Sequence, residues 1–251
     1  MAVSAFLATR IGLRGVQGRE GLSISVAITA HNRSGPLAWL ADVYASDETV
    51  VMTVVPSIVH NQPGDSYAYN GLNCPKTMSS REYLSGFMTR YAKPNSMFTM
   101  SLRASSLIEA GFESLVCFND TPLYLHALLS RGTVYRFDEA VGIYSVDCGD
   151  NMSGNCPASV VLGVVAAKCD ICRRATDAGL LDDSEQWLWQ QLRITTDHYL
   201  VGNARQGAEE REVWLWLRHH TTRANYLRYV LRAVVMRLRR GKLTDPRYVV
   251  L

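Results

Sequence analysis

No stretch of this 251-residue chain is long and apolar enough to span a bilayer as a helix. The longest nearly pure apolar run, 158–167, has ten residues, against the roughly 20 that a spanning helix needs. Cysteine is scarce, six in all, which excludes a disulfide scaffold and makes a reducing cytoplasm the expected compartment. Neither a P-loop nor a Gly-x-Gly-x-x-Gly run occurs, so no glycine loop is on hand to cradle a phosphate. The first nineteen residues hold Arg10, Arg14 and Arg19 and no acid. That faintly resembles a transit peptide, but an irregular N-terminus ahead of the first strand is the simpler expectation. No small-residue cleavage site follows a sustained apolar core, so secretion is not expected.

Acid is also missing from one long segment. Residues 213–244 contain eight Lys or Arg and no Asp or Glu. That segment is +8 and, since the whole chain is +3, the remainder is −5. Such asymmetry bears on partners more than on fold.

What is present describes an ordinary globular chain, 47% hydrophobic and 20% charged, with length for one large domain or two small ones. Residues 22–30 alternate apolar and small side chains and meet a polar turn at 31–36, the pattern of a strand. Helical spacing follows over 36–46, with Pro36 near the first turn. The β-branched stretch 49–59 predicts a strand bent or edged at Pro56. After a turn at 62–65, the polar stretch 66–78 predicts a loop, and Ser79 is placed to cap a helix running to Arg90. A strand at 98–102 and a short helix over 105–110 come next. This order predicts an α/β sandwich with part of its sheet parallel. Beyond residue 157 the pattern turns helical, over 158–178, 184–201 and 209–240. The expected organisation is an α/β part, 1–157, and a helical extension, 158–251.

The most informative stretch is Phe118-Asn119-Asp120-Thr121-Pro122-Leu123-Tyr124-Leu125-His126-Ala127. An acid opens an apolar helix, a strand follows within Arg131–Glu139, and Asp147-Cys148-Gly149-Asp150-Asn151-Met152-Ser153 closes the unit. With Asn95–Phe112, this order resembles family 2 glycosyltransferases of the GT-A fold continuously over about sixty residues, and Ser25–Arg33 resembles the family's opening strand. The resemblance implies a sugar nucleotide entering at Asn32 and Arg33, and Asp120 where the family keeps its catalytic base. An inverting transfer needs such a carboxylate to take the proton of the acceptor hydroxyl. The same aspartate is also a standard helix cap without catalytic duty. His126 stands where many members carry Arg and is either a phosphate contact or a packed helix side chain. Asn151 and Ser153 are implied as acceptor or diphosphate contacts.

One part of the family pattern is missing: no Asp-x-Asp occurs anywhere in the chain. Asp42 and Asp47 are the nearest substitutes, one carboxylate each. Asp147 falls where a family histidine can hold metal or diphosphate, and it is an oxygen ligand suited to Mg²⁺ or Mn²⁺. The donor site is therefore either built without the usual metal motif or degenerate.

Two further patterns carry chemistry. Cys148, Cys156, Cys169 and Cys172 contain only one close pair, and small buried helix residues are a simpler account of it than zinc. In the tail, Trp214, Leu215, Trp216 and Leu217 precede a helix with an apolar face of Tyr226, Leu227, Val230, Leu231, Val234, Val235 and Leu238, and arginines decorate the rest. It suits an anionic membrane surface carrying a lipid-linked acceptor, or equally a helix packed on the core with a solvated basic face. No nucleic-acid motif accompanies it. The sequence thus predicts a glycosyltransferase, cytoplasmic and peripheral at the inner face of the membrane. The alternatives are a degenerate relative that binds a glycan or partner, and a membrane-surface adaptor.

Overall fold

The structure, a computed structural model, describes residues 34–61, 66–94, 99–109, 121–140, 143–146, 158–196, 208–239 and 249–250. The predicted strand at 22–30 lies outside them. Helix α1 (Ser34–Ser46) leads into strand β1 (Val50–Val54), whose five residues are all buried. A near-continuous run of valine and other largely apolar residues suits a strand covered on both faces. Strands β4 (Thr77–Ser79), β5 (Met100–Leu102) and β6 (Thr133–Arg136) join it in one mixed sheet, in the order β4-β6-β1-β5. The β1–β6 pair is parallel; β1–β5 and β4–β6 are antiparallel.

The stretch 49–59 is two strands rather than one bent strand. Beyond Val54 the chain leaves the first sheet and, as β2 (Ser57–Asn61), enters a second. Pro56 explains the break, because it has no N–H to donate to a ladder. At the same point Val55 N donates to Thr99 O (2.8 Å) and Phe137 N donates to Val54 O (2.9 Å). The second sheet runs β7-β2-β3-β8, with β3 (Ser66–Asn70), β7 (Ile143–Val146) and β8 (Val249–Val250).

The expectation of a loop over 66–78 is corrected, since both ends of that stretch are strands. Tyr67 and Tyr69 favour extended backbone, and the antiparallel partner β2 supplies a ladder that a polar composition concealed. The Ser79 cap is present: its Oγ accepts from Glu82 N at 3.1 Å. Helix α2 (Ser80–Gly86) ends four residues short of Arg90. Met88 has φ of 57°, a left-handed conformation that cannot continue a helix. The amides of Thr89, Arg90 and Tyr91 all turn back to Gly86 O instead.

Helices α3 (Ala104–Glu109) and α4 (Thr121–Ala127) cross back before β6. Apart from half-buried His126, every residue of α4 is buried, as an almost wholly apolar helix should be. The helical region comprises α5 (Ala158–Asp177), α6 (Ser184–Thr196), α7 (Ala208–His220) and α8 (Arg223–Arg239). The long helix expected over 209–240 is two helices. At the break, Thr221 Oγ1 donates to Leu217 O (2.6 Å), and Thr222 Oγ1 accepts from Asn225 N (3.2 Å) to cap α8. Threonine hydroxyls compete with helix backbone in this way.

One core crosses residue 157. Met52, Tyr83, Phe87, Tyr124 and Leu128 pack with Ile171, Ala175 and Trp187 from α5 and α6. Trp187 Nε1 donates to Leu84 O (2.8 Å), and Gln191 Nε2 donates to Phe87 O (2.6 Å). A second apolar cluster joins Val161, Val165, Leu192, Val213, Leu217 and Tyr229.

Gly132, ahead of β6, lies tightly against the start of β1. A Cβ there would stand 2.4 Å from both Thr49 O and Val51 Cγ1. The chain cannot yield at a backbone oxygen without disturbing β1, so Gly132→Ala is expected to cost about 1–3 kcal/mol. A melting temperature equal to wild type would contradict this packing.

Candidate functional site

Of the residues singled out from the sequence, Asn32, Arg33, Asp120, Asp147, Asn151 and Ser153 lie outside the described residues; Asp42 and His126 lie within them. Asp42 is exposed on α1, and its backbone carbonyl takes the Ser46 hydroxyl at 2.7 Å. Asp47, the other aspartate singled out there, binds Thr49: its Oδ1 accepts from Thr49 N (2.8 Å) and Thr49 Oγ1 (2.6 Å). Those two bonds hold its carboxyl below the usual range. Both acids stand where α1 turns into the amino end of β1.

His126 Nδ1 lies 2.8 Å from Pro122 O, one turn back on its own helix. That bond orients a packed imidazole on α4. It assigns no phosphate contact.

The start of α4 is met by a lysine from the segment after α2. Thr121, the residue after Asp120 in the chain, is buried, and Lys93 Nζ donates to its Oγ1 at 3.4 Å. The same ammonium sits 5.7 Å from the centre of the Tyr124 ring. Next to Lys93, Ala92 N donates to Asn73 Oδ1 (2.9 Å). Three residues on, Lys76 O accepts from Arg136 N (2.7 Å) at the end of β6. These bonds join the start of α4 to the segment after α2 and, through residues 73–76, that part of the chain to the carboxyl end of β6, the parallel partner of β1. Open α/β sheets take their ligands at that end.

Sequence reasoning missed two lysines here. Lys93 comes from the segment after α2 and is half-buried. Lys168 on α5 is 1% exposed, and its Nζ donates to Gln191 O (3.1 Å) and Thr195 Oγ1 (2.9 Å). Burial first, and the charge of Lys93 second, push its pKa down to about 7. A legible signal existed, since Lys168 interrupts the apolar face of α5. Only the packing shows that the interruption is buried.

Of the four cysteines singled out from the sequence, Cys148 and Cys156 lie outside the described residues. Cys169 and Cys172 lie on α5, where burial pushes the Cys169 thiol up to about 11 and raises that of Cys172. Raised thiols are poor ligands and nucleophiles at neutral pH. Among the described residues, no three His, Cys, Asp or Glu side chains converge as a metal site would require. The single carboxylates Asp42 and Asp47 do not form one.

Fold and site together define an α/β protein with a mixed four-stranded sheet, flanking helices and a C-terminal helical region. No helix among the described residues is long and apolar enough to cross a membrane. Comparison with protein-family models, curated proteins and solved structures found no match.

Proposed function

We propose that this chain is a glycosyltransferase with a GT-A-like fold, transferring a sugar from a nucleotide-sugar donor to an acceptor hydroxyl with Asp120 as general base. The observation that carries this reading is the order of parts at the carboxyl end of the parallel strands. An acid precedes a buried helix, that helix leads into β6, and Lys93 bonds the residue following the acid.

In this reading Asp120 removes the proton of the acceptor hydroxyl. The acceptor oxygen then bonds to the anomeric carbon as the bond to the nucleoside diphosphate breaks, which inverts that carbon. A nearby ammonium favours the ionised carboxylate that a base must be, and Lys93 supplies one beside Thr121. Asn32 and Arg33 are proposed to hold the donor base. A glycan or a lipid-linked acceptor supplies the hydroxyl. A Mg²⁺ or Mn²⁺ bound with the donor, with Asp147 as a ligand, would offset the charge of the departing diphosphate.

A second reading is favoured by the missing Asp-x-Asp: a non-catalytic relative that binds a glycan or a partner protein through the same region. One experiment separates the two. Thermal unfolding is followed with UDP-, GDP- and dTDP-sugars, each with and without Mn²⁺. A donor that binds only the folded chain adds about 2.7 kcal/mol at a hundredfold excess over its dissociation constant. A rise with one nucleotide class is expected, and its dependence on Mn²⁺ reports whether a metal takes part. No rise with any of them transfers support to the non-catalytic reading.

A further inference from the structure

Helix α8 has two apolar faces. One is buried: Tyr229 and Ala233 turn inward, with the Tyr229 ring centre 4.4 Å from that of Trp189 and its hydroxyl donating to Trp189 O at 3.2 Å. The other face is open. Leu227 is 65% exposed, Leu231 66%, Val234 47% and Leu238 77%. At 100° per residue these four fall within an arc of about 60°. A lone exposed leucine needs no account, whereas a continuous row marks an interaction surface.

The flanks of the row are basic. Arg223 and Arg228 are exposed and Arg232 is half-buried. Arg228 lies over the Trp189 ring at 5.9 Å, and its Nη1 bonds Asn225 Oδ1 at 3.5 Å. The surrounding segment, 213–244, has eight Lys or Arg and no acid. Because its other face is packed, the helix is already formed before anything meets the row.

We propose that this face of α8 docks on an anionic bilayer surface, with the leucine row at the acyl boundary and the arginines at the level of the lipid phosphates. Charge decides between this surface and a second copy of the chain. The spacing 227, 231, 234, 238 alternates four and three residues, as a paired-helix seam does. Self-pairing, however, would set arginines against arginines with no acid in the segment to offset them. Anionic headgroups supply the missing charge, worth roughly fivefold in partitioning per arginine at the surface. The inference is independent of glycosyl transfer, because its readout is lipid binding.

The test is sedimentation of the full chain with vesicles of phosphatidylcholine alone, or of phosphatidylcholine mixed with phosphatidylglycerol. The chain is expected to pellet with the mixed vesicles and to be released as salt rises from about 0.1 M to about 1 M, which shortens the Debye length from about 10 Å to about 3 Å. Leu227→Ser with Leu231→Ser should weaken partitioning on the order of a hundredfold. Leu215→Ser, at an exposed position on α7, should leave it unchanged. The salt response of the wild type reads the same surface without relying on the variant's folding. Equal pelleting with neutral vesicles, no pelleting, or a double variant that keeps its melting temperature and binds like wild type overturns the proposal. A solution dimer that this double variant disperses assigns the face to a second copy instead.

Discussion

Asp120→Asn is expected to lower the turnover of sugar transfer by about 10²- to 10⁴-fold, the usual contribution of a positioned general base. Asparagine keeps the size and the hydrogen-bonding oxygen of aspartate but cannot take the acceptor proton. It also caps a helix as well as aspartate does. The melting temperature should therefore stay near wild type, and the donor-induced rise should survive. Asp120→Ala removes both duties, and loss of a cap adds about 0.5–2 kcal/mol of destabilisation. The decisive quantity is kcat of the asparagine variant with an identified donor and acceptor. Full turnover there would leave Asp120 a cap and remove the base from the proposed mechanism.

The second large effect concerns stability and pH. Lys168 titrates near 7 in the folded chain and near 10.4 once unfolded. Between those values the unfolded chain holds a proton that the native one lacks, so stability rises with pH. The gain is complete above the unfolded value and is lost as pH falls through about 7, with a limiting slope of about 1.4 kcal/mol per pH unit. Lys168→Met keeps the bulk of the stem and removes the ammonium. Its two partners stay satisfied, because Thr195 Oγ1 also donates to Gln191 O at 3.0 Å.

The variant should therefore be at least as stable as wild type at pH 7 and should lack this rise. The measurement is the difference in unfolding free energy between the two proteins from pH 6 to pH 9. Other groups work in the opposite sense above that range. Burial raises the Cys74 and Cys169 thiols to about 11 and the Tyr83 hydroxyl well above its ordinary value. Stability held by those neutral groups is lost as pH climbs towards their folded values. They cancel in the difference between variant and wild type. An identical slope in both proteins would mean that Lys168 is solvated rather than buried.

Local sequence was legible where local interactions decide. The Ser79 cap, the presence of a strand after residue 49, the short α3, the start of α5 and the onset of α6 all follow from capping chemistry and hydrophobic period. The end of α2 was not legible, because it depends on the left-handed Met88. Strand β3 was concealed for another reason: a polar, tyrosine-bearing stretch becomes a strand only when β2 offers a ladder. Of the candidate site, the chain order around α4 was legible. Lys93 and Lys168 were not, since nothing in their flanking residues says that the segment after α2, and helix α5, bring them near it.

By itself the sequence determined the α/β character of the first part, the helical character of the second, and the basic charge collected between 213 and 244. Each of these is set by neighbours in the chain or by composition. Tertiary structure alone decided that 49–59 divides between two sheets, that Lys168 is buried, and which apolar face of α8 is left open. The tail helix can bury either of its apolar faces with similar periodicity. Packing of Tyr229 and Ala233 inward chose one of them, and Leu227, Leu231, Val234 and Leu238 were left outside.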